Sequence, residues 1–252
     1  MTFRKHAPTP EAAAWEAAGL QWLGSTHTVP VVEVRSVEGT VLELERLRDE
    51  GPSPAAAETF GRQLAQLHRE RAAAFGSPPP DWQGDGWLGP NDDLLPAPMR
   101  SRETWAEHWV HDCLVPTAQL AVERGRADTT LVRAVERLGE RLLEGLHDTG
   151  DAPSPVHGDL WSGNVLWTSD GATVIDPSAH GGHRELDLAM LHLFGAPFLK
   201  VLVAAYEAEY PLVEGWRDRL PLHQLHHLLV HVACFGGSYL SATFEALRAA
   251  DG

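Results

Sequence analysis

The sequence predicts an α+β chain, a small mixed region over residues 1–50 followed by a mostly helical remainder over residues 51–252, as one compact unit or two lobes. Three observations lead there. Aliphatic and β-branched runs flank Glu38-Gly39 near the start, helical periodicity governs most of the chain after residue 54, and one Asp-Gly hairpin signature interrupts that periodicity at Asp170-Gly171.

The segment Thr2-Phe-Arg-Lys5 is short, and Pro8 and Pro10 deliver the chain into an Ala- and Leu-rich helix from Glu11 to Leu23 that closes near Gly24. Val29–Val34 and Thr40–Leu47 predict two strands joined by a tight turn. Asp49–Pro54 is a linker by composition, and Ser53 can cap the helix that runs through Phe60 to His68. From Phe75 to Arg102 the sequence turns to Pro, Gly, Asp and Asn with Trp82 and Trp87 among them, which predicts a long ordered or semi-ordered loop, of a length that is usually functional or disordered. Helical periodicity returns over 105–120, 130–146 and from Leu222 to the C-terminus.

Composition narrows the function. With 43% hydrophobic residues among 252, the chain can bury a real core. Thirty-five acidic residues against 20 Lys+Arg give a formal charge of −15, which repels nucleic-acid phosphates and anionic membranes, so neither is an expected partner. Cys113 and Cys234 are too few for a disulfide framework and read as ordinary thiols. No apolar run reaches the ~18 residues of a membrane span, and a cytoplasmic protein is the expectation.

Chemistry concentrates in Pro155-Val-His-Gly-Asp159-Leu-Trp-Ser-Gly-Asn164, followed by the Asp170-Gly171 hairpin and then Ile175-Asp176-Pro177. The hairpin places Asn164 before its first strand and Asp176 after its second, so three polar side chains fold back toward one another. Phosphoryl transfer needs an oxygen that accepts the proton of the incoming hydroxyl and oxygen ligands that hold magnesium against the phosphates of ATP. Asp159, Asn164 and Asp176 can supply both.

His157–Asn164 with Asp176-Pro177 and Gly182-His-Arg-Glu-Leu-Asp187-Leu-Ala-Met190 resembles the fructosamine kinase family, which is similar in fold to aminoglycoside phosphotransferases and, more remotely, protein kinases. The resemblance implies a protein kinase-like two-lobe fold and phosphorylation of a sugar hydroxyl on a ketosamine with ATP and Mg2+; the sequence departs from the family in placing Lys5 almost first, so a truncated N-lobe that lacks the family's glycine-rich loop is expected. It implies Asp159 as the base, Asn164 and Asp176 as metal ligands, and Lys5 on the phosphates paired with Glu16. It also implies Glu45 and Leu47 at the adenine, and Trp161, His183, Arg184 and Glu185 at the substrate. Asp187 would brace the catalytic loop. Two alternatives stay open: a kinase for another hydroxylated amine such as an aminoglycoside, and a non-catalytic binding module.

His223, His227 and His231 recur every fourth residue on one helical face. No acid or cysteine joins them at motif spacing, so they are expected to be packing, surface or cleft groups rather than a metal site. Trp105 and Trp109 read as a core stripe.

Overall fold

A computed structural model describes residues 2–252. Its small lobe comprises β1 (Thr2–His6), α1 (Pro10–Ser25), β2 (Val34–Glu38) and β3 (Val41–Glu45). The sheet order is β1-β3-β2, all antiparallel, with Lys5 opposite Leu42. Two strands were expected and three form, because Thr2–His6 pairs along the second edge of β3, a long-range partner that a five-residue segment cannot announce. Thr9 caps α1 by accepting from Ala12 N at 3.1 Å, and the helix buries Trp15, Leu20 and Leu23 against the sheet and the larger lobe.

The strand expected over 29–34 lies instead at 34–38. Residues 30–32 are recruited by the other lobe: Val32 N donates to Val174 O (3.1 Å) and Val174 N to Pro30 O (2.9 Å). This stitch sets the small sheet over the hairpin that turns at Asp170-Gly171.

In the larger lobe Ser53 caps α2 (Pro54–Arg69), as the sequence indicates. The segment expected as a loop contains a short hairpin, β4 (Gly86–Leu88) and β5 (Leu95–Ala97), docked where Trp15 Nε1 donates to Trp87 O at 3.1 Å. α3 (Trp105–His108) continues through a π-helical turn at Trp109–Leu114 into α4 (Val115–Glu123). Pro116 has no N–H to give the carbonyl four residues back, and the wider turn absorbs the defect. Trp105 and Trp109 stack at 5.7 Å inside the core, as their spacing predicts.

After α5 (Thr129–Leu143) come two antiparallel pairs that carry the site, β6 (Ser154–Val156) with β9 (His180–Gly182) and β7 (Val165–Thr168) with β8 (Gly171–Val174). The chain finishes with α6 (Glu185–Leu193), α7 (Leu199–Glu209), α8 (Trp216–Phe235) and α9 (Leu240–Asp251). The helix expected from Leu222 onward is two, broken at Gly236, whose φ of +85° no helix accepts. One core cluster gathers Trp109, Leu114, Leu138 and Leu229 from the C-terminal helices. A second joins Phe60, Leu64 and Tyr206 to Trp167 of the hairpin, so the segment singled out in the sequence is anchored on packed helices. Among the described residues no helix is long and apolar enough to cross a membrane.

Candidate active site

The loop between β6 and β7 is held from behind. Asp187, fully buried on α6, accepts from His157 N (2.7 Å) and Gly158 N (3.0 Å), and His68 Nε2 lies 3.1 Å from the same carboxylate. Burial alone would raise the pKa of Asp187, but the bond from His68 and the backbone N–H groups outweigh it and hold it below the usual range. His157 adds a second tie. Its Nε2 donates to Ile175 O (2.8 Å) while its Nδ1 accepts from Asp159 N (3.2 Å), which joins the catalytic loop to the end of β8. Gly158 has φ +80°, and a Cβ there would overlap the carbonyl oxygen of Ser178.

On this frame the three residues singled out in the sequence meet. Asn164 Nδ2 donates to Asp159 O (2.8 Å), to Asp159 Oδ2 (3.2 Å) and, at 3.4 Å, to Asp176 O. With the amide nitrogen so occupied, Asn164 Oδ1 has no protein donor among the described residues and is left for a ligand. Asp176 sits in the left-handed region at φ +54°, a conformation a non-glycine residue keeps only where its surroundings enforce it. Its carboxylate reaches Lys5, whose Nζ lies 3.0 Å from Asp176 Oδ1 and 2.7 Å from Glu16 Oε2. Burial works against the charge on Lys5, yet the two carboxylates outweigh it and raise its pKa. Pairing within β1 thus fixes a lysine only five residues from the start of the chain.

Asp159, Asn164, Asp176, Lys5 and Glu16 line one cavity of about 420 Å³ between the lobes. Trp15, Trp87, Leu88 and Leu94 wall one side of it, and Trp161, Phe194, His227, His231 and Phe235 the other. Trp161 is 39% exposed, packs edge-on to Phe194 at 5.9 Å, and lies over Gly163, where any Cβ would overlap its ring. The tryptophan expected at the substrate thus stands on the wall of this cavity.

Three expected substrate residues are elsewhere. His183, Arg184 and Glu185 are 3%, 2% and 0% exposed and are absent from the cavity wall. Arg184 forks onto Asp151 (2.9 and 3.2 Å), His183 bonds Thr149 Oγ1 (2.8 Å), and Glu185 holds the Arg219 guanidinium (2.9 and 2.6 Å). They lock α6 to its neighbours, a structural duty whose spacing along the chain mimics a binding motif. Glu45 and Leu47 also lie outside this cavity wall; Leu47 packs against the cluster of Val32, Leu42 and Leu44, which also touches Ile175 beside Asp176.

The histidine triplet is corrected in one respect: acidic partners do join it, from distant sequence. His223 Nε2 lies 3.2 Å from Glu185, and His227 Nε2 3.4 Å from Asp159 Oδ1. The periodicity of α8 was the available signal; its partners were not, because they lie 38 and 68 positions away. His183, Glu185 and His223 cluster closely enough for a metal. Both Glu185 oxygens are already taken by Arg219, however, and both His183 nitrogens are engaged, by Thr149 and by Glu185 N.

The same arrangement of lobes occurs in known enzymes. A macrolide 2′-phosphotransferase from Brachybacterium faecium superposes with a TM-score of 0.59 over 98% of this chain and 84% of its own, at 18% identity, which establishes a shared fold. The protein therefore belongs, by fold, to the kinase-like class. The sequence is closer to another branch of it. The model of the fructosamine kinase family matches residues 5–250. A probable ketoamine kinase of Thermus thermophilus is 35% identical over 243 residues, 96% of this chain and 84% of the relative. The crystal structure of a candidate fructosamine-3-kinase from Thermobifida fusca matches with a TM-score of 0.90 at 44% identity, covering 99% of this chain and 85% of that one. The chain belongs to the fructosamine kinase family, and is accordingly a kinase that uses ATP.

Proposed function

We propose that this enzyme transfers the terminal phosphoryl group of ATP to a sugar hydroxyl of a ketosamine, the adduct of a reducing sugar with an amine, in cytoplasmic repair of glycated amines. The observation that carries the reading is the convergence of Asp159, Asn164 and Asp176 on an aromatic-walled cavity, within reach of a half-buried cation, Lys5.

Asp159 accepts the proton of the substrate hydroxyl as the oxygen attacks phosphorus, and Asn164 holds that carboxylate in place. The donor set beside it is all oxygen, the Oδ1 of Asn164 and the carboxylate of Asp176, which suits Mg2+ and not a soft metal. Bound there, magnesium would offset the charge of the phosphates. Lys5 is restrained by Glu16 and turns its charge to the phosphate oxygens, and the backbone around Glu45 and Leu47 meets the adenine. Trp161 packs on the sugar or on the amine-bearing part of the substrate. The formal charge of −15 favours a cationic amine over an anionic sugar phosphate as the incoming substrate.

The test is ATP consumption across ribose-, erythrose- and fructose-derived amines, with aminoglycosides in parallel. Turnover that requires a ketosamine and falls at least about a thousandfold in Asp159→Asn is the expected result. Turnover with aminoglycosides alone would overturn the substrate class, and an active Asp159→Asn the assigned base.

A further inference from the structure

We infer that His227 is a positioning residue for Asp159: from α8 its Nε2 stands 3.4 Å from Asp159 Oδ1 and closes to a hydrogen bond in the working state, where, with Asn164 on the other oxygen, it fixes the direction of the carboxylate toward the substrate hydroxyl. The inference rests on the reading of Asp159 as the proton acceptor.

The argument begins with the other histidines of the site. His157 uses both ring nitrogens, one on Ile175 O and one from Asp159 N. His68 does likewise, between Tyr206 Oη and Asp187. These are structural imidazoles with their polar atoms satisfied, as buried groups are. His227 is as deeply buried, 2% exposed, yet neither of its ring nitrogens has a hydrogen-bond partner among the described residues. An unpartnered buried imidazole costs stability, so a position that keeps one does so for contacts made in the working state.

Geometry names that contact. Asp159 Oδ1 lies 3.4 Å from His227 Nε2, too long for a formed bond and short enough to become one when ligands close the cleft. His231, one turn further along α8, is not a competitor, because its Nδ1 is bonded back to the His227 carbonyl at 2.6 Å. The His226 ring stands 5.8 Å away and edge-on. Asp159 is therefore gripped from two elements, Oδ2 by Asn164 of its own loop and Oδ1 by the C-terminal helix pair. That second grip couples the base to the helix that lines the far side of the substrate cavity.

The test compares His227→Phe with His227→Gln, whose amide nitrogen can stand where Nε2 stands. Kinetics are measured with both substrates, folding is checked by thermal melting, and Asp159→Asn runs in parallel. Loss of a hydrogen bond to a charged group predicts kcat about tenfold or more lower in His227→Phe with KM for ATP and ketosamine nearly unchanged, and recovery of most of that loss in His227→Gln. A folded His227→Phe with wild-type kcat, or a folded His227→Gln no better than it, overturns the inference while an inactive Asp159→Asn leaves the base intact. An active Asp159→Asn would instead remove the reading on which the inference rests. Should both His227 variants misfold, imidazole 15N spectra of the wild-type chain decide: an Nε2-protonated neutral ring supports the assignment, and an Nδ1-protonated ring refutes it.

Discussion

Asp187→Asn isolates the brace behind the catalytic loop, because it keeps the volume of the side chain and changes one polar atom. The carboxylate accepts His157 N and His68 on Oδ2 and Gly158 N on Oδ1, with no solvent exposure. In the asparagine variant the best placement leaves the oxygen toward His157 and His68, and points the amide NH2 at the Gly158 N–H. One charge-assisted bond is lost and one buried donor is orphaned, at roughly 1.5–3 and 1–3 kcal/mol respectively. The sum, about 2.5–6 kcal/mol, is a large part of the 5–15 kcal/mol that typically holds a domain together. For a chain of this length it lowers Tm by roughly 5–24 °C. Thermal and urea unfolding of both proteins read the stability, and kcat reads the loop, which should lose activity even at temperatures where the variant is folded. A variant that melts within about 2 °C of wild type with normal kcat would refute the claim that Asp187 carries the loop.

Acid should destabilise the protein earlier than carboxylate titration alone would. Burial holds the His180 pKa down at about 4 from an ordinary 6.5, so its contribution is complete above 6.5 and is lost as pH falls toward 4. That difference corresponds to about 3 kcal/mol, and His183 and His226, also pushed down by burial, act in the same direction. Glu185 extends the loss to lower pH: burial would raise it, but His223 and the Arg219 fork hold it at about 2. Tm measured from pH 7.5 to 4.5 should fall steadily, and a flat profile would contradict the burial of these rings. Both thiols should be slow toward a thiol reagent in the folded state and immediate in denaturant, since burial pushes Cys113 well above its usual range and Cys234 to about 11. Fast, stoichiometric labelling of the native chain would refute it.

The local chemistry was legible in the sequence. His157–Asn164, the Asp170-Gly171 turn and Asp176 lie within 20 positions, and a hairpin is a short-range structure whose turn residues announce it. The caps at Ser53 and the stacked Trp105 and Trp109 follow from equally local rules. Gly182-His-Arg-Glu185 shows the limit of such reading. Polar residues clustered beside a motif suggest a binding surface, but burial is set by what packs on them, and here Asp151, Arg219 and Thr149 arrive from other elements.

Pairing across distance is where the sequence fell silent. Thr2–His6 became a strand only because β3 offered an edge, and that pairing is what fixes Lys5 between Glu16 and Asp176. His227 declared a helical face and nothing about what the face would meet. Periodicity and turn residues are encoded over a few positions, so the sequence by itself determined the class of chemistry and brought out Asp159, Asn164 and Asp176, which meet in the cavity. Which side chains stand beside each oxygen of Asp159, Asn164 at one and His227 at the other, depends on the packing of α8 against the His157–Asn164 loop, and only the tertiary structure decided that.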